Sequence, residues 1–152
     1  MLIRYLLALV LSPGLASAAM AAGTSSKSKK AASTYDIAEK AVKAGNYNRA
    51  IPLLKKVLAK NPNHYDALNY LGFSHRQLGE NDISLGYYKK VLAMNPDHRG
   101  ANEYLGELYL KTGKLDLAKK QLARLDKICT FGCEEFNDLK QAIKTYEASN
   151  KG

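Results

Sequence analysis

The chain has 152 residues, enough for one ordinary domain with a core of its own, and carries 23 Lys and Arg against 14 Asp and Glu, a net charge of +9. In a cytosolic protein that excess would suggest nucleic acid. Here the first residues point out of the cytosol, where the same charge reads as solubility with weak attraction to anionic surfaces, and no nucleic acid is expected.

The leader, MLIRYLLALVLSPGLASAAMAAG, has Arg4 near its start, an apolar run over residues 5–11, then Pro13-Gly14 and a tail of small residues. That is the layout of a secretory signal peptide over residues 1–22, with cleavage expected near residues 18–22. The apolar run is far shorter than the ~20 residues that span a bilayer. No later segment is long and apolar enough either, so no transmembrane segment is expected. No twin arginine and no cysteine lies near the cleavage region, which favours general secretion to a periplasmic or secreted destination. Removing Arg4 with the leader lowers the charge from +9 to +8.

Residues 23–34 follow, rich in Ser, Ala and Lys, with Lys27, Lys29 and Lys30 and no large apolar side chain. Such a stretch buries too little surface to order itself and is expected to be a flexible basic tether.

From Tyr35 onward the chain repeats with a step of 34 residues. The step links Ile37, Leu71 and Leu105; Ala38, Gly72 and Gly106; Gly45, Gly79 and Gly113; and, further on, Ala50, Ser84 and Ala118, then Leu54, Tyr88 and Leu122. A fixed period of this length signals stacked helical hairpins. In YDALNYLGFSHRQLG, Leu68, Leu71 and Leu78 recur at helical spacing and Gly79 supplies the stop. In DISLGYYKKVLAMN, Ile83, Leu85, Tyr88, Val91 and Leu92 do likewise before Asn95-Pro96. Glycine costs ~1 kcal/mol against alanine inside a helix. Its recurrence at Gly72 and Gly106 is therefore expected to serve close approach of the two helices of a hairpin.

Leu71-Gly72 with Tyr88 and Pro96, and Leu105-Gly106 with Tyr109, Ala118 and Leu122, resemble the signature positions of the tetratricopeptide repeat family. The resemblance implies an all-α fold, a right-handed α-solenoid of three helix hairpins over about residues 31–64, 65–98 and 99–132. Ser84 stands where the family has alanine, and the third unit lacks its closing proline. The last segment, EEFNDLKQAIKTYEASN, places Phe136, Leu139, Ile143 and Tyr146 on one stripe, with Glu134, Glu135, Lys140 and Lys144 elsewhere. It reads as a C-terminal capping helix over residues 134–148, closing a repeat domain that spans 35–148.

The resemblance further implies a concave groove lined by the first helix of each hairpin, holding a peptide or partner protein. Carried over position by position, its binding residues are Tyr35, Glu39, Asn69, Tyr70, Phe73, Glu103, Tyr104 and Glu107, with Lys43, Asp66, Arg76, Gln77 and Lys111 beside them. Aromatic anchors among polar groups suit recognition surfaces. Family members that grip a chaperone's terminal carboxylate use basic and amide residues where this chain has Tyr35, Glu39, Tyr70, Gly100 and Tyr104. No such clamp is expected, and the acids favour a basic or hydroxyl-rich partner.

Cys129 and Cys133, the only cysteines, stand where the third closing proline is missing. A thioredoxin-like motif needs a two-residue spacing, haem attachment needs a following histidine, and structural zinc needs four ligands. A local disulfide in an oxidising compartment, fixing the exit of the capping helix, is the expectation. His64 and His98 are expected at exposed helix starts, and His75 as a packed residue. No histidine has an evident nucleophile or carboxylate partner and no phosphate loop occurs. The chain therefore reads as no enzyme, with no cofactor and no metal: an interaction module or adaptor of the cell envelope. Two alternatives remain: a thiol-redox or metal-handling protein using the two cysteines, and a binder of anionic envelope surface through Lys55-Lys56, Lys89-Lys90 and Lys119-Lys120.

Overall fold

The structure, a computed structural model, describes residues 32–150; the expected signal peptide and residues 23–31 of the expected tether lie outside the described residues. Seven helices follow one another: α1 (Thr34–Lys43), α2 (Tyr47–Lys60), α3 (Tyr65–Gln77), α4 (Asn81–Met94), α5 (Arg99–Lys111), α6 (Leu115–Ile128) and α7 (Glu134–Ser149). Among the described residues there is no strand, and no helix is long and apolar enough to cross a membrane. The helices pair as α1–α2, α3–α4 and α5–α6, each hairpin packs on the next, and α7 packs on α5 and α6. This is the all-α solenoid of three hairpins and a terminal helix.

Local chemistry sets the helix ends. At α1 the Asp36 N–H donates to Ser33 Oγ (3.1 Å) and the Ser33 N–H donates to Asp36 Oδ2 (2.8 Å), a reciprocal cap that satisfies two orphan donors. Ser33 thus fixes the start of α1, one residue before Thr34. Gly45, Gly79 and Gly113 adopt φ of +72°, +83° and +75°, so each hairpin turns at a residue that takes the left-handed conformation without a Cβ penalty.

The core runs along the stack through Ala38, Leu54, Leu71, Tyr88, Val91, Leu105, Leu125 and Leu139, all nearly inaccessible. Three expected apolar positions depart from it: Ile37, Leu78 and Ile83 are 38 %, 40 % and 49 % exposed. Ile37 shares the register of Leu71 and Leu105, but among the described residues no hairpin precedes α1 to cover it. Leu78 is the C-cap of α3, and Ile83 lies in the first turn of α4, where it borders an open surface pocket with Thr112.

The expected role of the small residues holds at Gly72 and is corrected at Gly106. A Cβ on Gly72 would meet Tyr88 Cε1 at 2.6 Å, so α3 and α4 touch there as anticipated. A Cβ on Gly106 would meet Leu139 Cδ2 at 2.5 Å. The close approach is therefore between α5 and α7, not within the hairpin. Leu139 continues the Ile37, Leu71, Leu105 series by one more step, so α7 occupies the place of a fourth repeat's first helix.

Cys129 closes α6, residues 130–132 turn with Gly132 at φ +82°, and Cys133 is the N-cap of α7. The two sulfurs are bonded, with Cα atoms 5.6 Å apart. Phe131, at the tip of this turn, is fully exposed.

Candidate functional site

The first helices of the hairpins and α7 enclose a cavity of about 310 Å3. Tyr35 from α1, Asn69 and Tyr70 from α3, and Glu103 and Tyr104 from α5 line it, five of the eight positions carried over from the sequence. The other three stand beside it on the same strip. Glu39 Oε1 accepts from the Tyr70 hydroxyl (3.2 Å) and pairs with Lys43 Nζ (2.8 Å). Phe73 packs against Tyr104 with ring centroids 4.8 Å apart. Glu107 pairs with Arg76 (2.5 Å), whose guanidinium lies 5.3 Å from the Phe73 ring centre and 5.5 Å from that of Tyr104.

The aromatic strip is thus two pairs, Tyr35–Tyr70 at 6.2 Å and Phe73–Tyr104 at 4.8 Å, with Tyr35 also stacked on His64 at 4.6 Å. Two of the three cations beside the strip are matched by acids on it, and the third bonds a backbone carbonyl. Lys43 serves Glu39, and Arg76 serves Glu107 while Lys111 Nζ donates to the Arg76 carbonyl oxygen (2.8 Å). Gln77 is exposed at the end of α3.

The remaining wall is acidic. Asp66 from α3 and Glu134, Glu135 and Asp138 from α7 complete it, with His98 and Gly100 at the start of α5. The sequence places Glu134 and Glu135 only off the apolar stripe of the capping helix, so their part in the cavity is a contribution of the structure. The 34-residue register of Leu139 carries the signal that would have placed them. The histidines also differ from expectation. His64 and His98 are half-buried N-caps whose Nδ1 atoms accept from the Ala67 N–H (3.3 Å) and the Ala101 N–H (3.1 Å). Each is held because an orphan donor at the helix start needs an acceptor. His98 Nε2 also bonds Asp66 Oδ1 (3.1 Å). His75 is packed as anticipated, with Nδ1 against the Glu80 carboxylate and its ring stacked on Tyr87.

Burial shapes the electrostatics. Glu103 is only 8 % exposed, and its carboxyl is pushed up to about 8, first by burial and then by repulsion from Glu107, Asp138 and Glu135. Glu39 is held below the ordinary carboxylate range, chiefly by the hydrogen bond from Lys43. Burial raises Tyr35, Tyr70 and Tyr104, so all three phenols stay neutral. Among the described residues no three His, Cys, Asp or Glu side chains converge as a metal site. The lysine rows on the second helices are exposed, and Lys119 pairs with Glu147 at 2.6 Å.

Two family profiles, each described as tetratricopeptide repeat, match residues 35–82 and 84–128. The chain belongs to the tetratricopeptide repeat family. It shares its fold with the first repeat domain of Spaghetti (RPAP3), solved bound to the HSP90 peptide SRMEEVD, at a TM-score of 0.65 and 19 % identity over 75 % of this chain and 93 % of that one. It is similar also to the Yersinia enterocolitica type III secretion translocator chaperone SycD, at a TM-score of 0.68 and 15 % identity over 78 % and 84 % of the two chains. SycD in complex with a peptide of the translocator YopD matches at a TM-score of 0.64 and 17 % identity, over 76 % and 88 %. No curated protein sequence matches this chain. As a tetratricopeptide repeat solenoid, it has the architecture of a protein-interaction module.

Proposed function

We propose that this repeat protein is a non-catalytic adaptor of the cell envelope that holds a peptide or a segment of a partner protein in its concave groove. The observation that carries this reading is the convergence of Tyr35, Asn69, Tyr70, Glu103 and Tyr104, from three successive hairpins, on one cavity. Rigid aromatic rings among polar groups give contact area at low entropic cost. That two structural neighbours, RPAP3 and SycD, were solved with peptides lends support. The envelope assignment rests on the signal-like leader and on a bonded cysteine pair suited to an oxidising compartment. Thiol chemistry has less in its favour, since Cys129 is 8 % exposed and joined to Cys133.

The test is cross-linking in cells with a photoreactive residue at position 70 and, as control, at position 89 on the exposed lysine row, followed by mass spectrometry. One protein captured from position 70 alone supports the groove. Equal capture from both positions, or none from either, sinks it.

A further inference from the structure

We infer that the cavity between α3, α5 and α7 is a subsite for one cationic side chain, an arginine or lysine of the bound peptide. The inference rests on the groove reading above and narrows it to a chemical class.

Two independent observations carry it. The first is an excess of unmatched acid. Glu134, Glu135 and Asp138 form no ion pair among the described residues, and neither does Glu103 beside them, although the chain as a whole is at +9. Among the described residues no lysine or arginine lines the cavity, and the cations on the strip are engaged: Lys43 by Glu39, Arg76 by Glu107, and Lys111 by the Arg76 carbonyl oxygen. The second is Asn69. Its side chain lines the cavity and is 6 % exposed, yet its Oδ1 accepts no hydrogen bond. A buried acceptor without a donor is costly, and a turn of the amide about its terminal bond would bring Oδ1 to the cavity face, where an N–H from a guanidinium or ammonium group would satisfy it.

Size and shape select among cations. At about 310 Å3 the cavity is at the small end of ligand pockets, which run from about 300 to 1,000 Å3. It holds a side chain rather than a helix. A divalent ion would need several oxygens converging at one point, and no three acids do so here. The carboxylates are instead spread around Tyr35, Tyr70 and Tyr104, and aromatic faces attract an organic cation. A guanidinium, which spreads its charge over a plane with several donors, fits this wall better than a point charge.

The test starts from a random phage-displayed peptide library selected on the full chain. Selected peptides are resynthesised with each arginine replaced by citrulline and each lysine by norleucine, and their affinities are measured against wild type, Tyr70→Ala, Glu103→Gln and Glu135→Gln. The inference expects one basic residue whose neutral replacement weakens binding by about tenfold or more. Glu103→Gln should weaken the parent peptide similarly and make the neutral replacement cost much less. Glu135→Gln, a change on a half-exposed helix start, should weaken it less and keeps the test valid if Glu103→Gln alters folding. Peptides that lose affinity with Tyr70→Ala but tolerate citrulline or norleucine throughout would overturn the cation subsite and leave the groove standing. Peptides indifferent to Tyr70→Ala would overturn both.

Discussion

Gly72 and Gly106 stand one repeat apart in the same register, and the space above them is filled from different elements. Over Gly72 lies the Tyr88 ring, from the second helix of its own hairpin. Over Gly106 lie the δ carbons of Leu139, from α7. The 34-residue step sets Leu122 opposite Tyr88, and Leu122 is smaller and only half-buried. With no phenol to fill it, the gap over Gly106 admits a side chain from outside the hairpin, and α7 closes down onto α5. That approach carries Glu134, Glu135 and Asp138 to the cavity. The difference between a tyrosine and a leucine in α4 and α6 thus reaches the groove through the terminal helix.

The break that reaches both stability and binding is Leu139→Ala. Leu139 is fully buried, and emptying its site should cost about 2–5 kcal/mol, read as a lower denaturation midpoint. Because α7 is held at Gly106 by this side chain, the variant should also lose peptide affinity. Tyr88→Ala should cost about 3–5 kcal/mol, as for other large aromatics. It leaves Leu139 over Gly106 but removes the ring packed 6.3 Å from Tyr104, so its loss of peptide affinity should be the smaller of the two. Equal losses would mean that the aromatic face outweighs the α7 acids in binding.

Adding a methyl group to each glycine sharpens the contrast. Gly72→Ala drives a Cβ into a rigid ring held at 0 % exposure, and overpacking of this kind costs about 1–3 kcal/mol. Gly106→Ala meets the tips of a flexible leucine on the terminal helix, so α7 can give way. Its stability cost should be the smaller of the two and its cost in peptide binding the larger. Thermal unfolding and a binding isotherm on both variants check the ordering. The reverse order in binding would mean that the hairpin, not the cap, sets the cavity.

Much of this was legible in the sequence, and the part that was not has a physical reason. The step linking Leu71 to Leu105 and Gly79 to Gly113 defined the helices, their stops and the face that lines the groove. What spacing does not state is which neighbour fills a gap. That depends on side-chain volume at Tyr88 and Leu122, on separate helices. Exposure at Ile37 likewise depends on what precedes α1 rather than on Ile37 itself. Asn69 is buried against the start of α5, where its amide lies beside Gly100, and Glu103 faces Glu135 and Asp138 of α7; spacing within one repeat records neither neighbour.

The link between Cys129 and Cys133 is a smaller lever on the same seam. Closing so short a loop stabilises by about 2 kcal/mol on the chain-entropy model. Cys129→Ser with Cys133→Ser should lower the melting temperature by some degrees, with α7 loosening before the hairpins. Hydrogen exchange along residues 134–149 reads this directly. Uniform protection loss across all seven helices would count against a local role.

The last effect is the dependence on pH, and it follows from Glu103. Its folded value of about 8 stands above the unfolded value of about 4.3. Burial is the main cause, with Glu107, Asp138 and Glu135 adding repulsion and Arg76 pulling the other way. The native state therefore keeps a proton that the unfolded chain has lost. This contribution to stability is whole below about pH 4.3 and is lost as pH rises through about 8. Glu103→Gln is neutral at every pH, so it should gain on wild type progressively between about pH 5 and pH 9, read as a widening difference in melting temperature. A bound cation reverses the preference, because it favours the ionised carboxylate. Affinity for a cationic peptide should then rise over the same range in wild type and stay flat in Glu103→Gln. Parallel melting curves for the two proteins would place the charge elsewhere in the wall, on Glu135 or Asp138. If the binding profiles were parallel too, Glu103 would be a packing residue with no part in recognising the ligand.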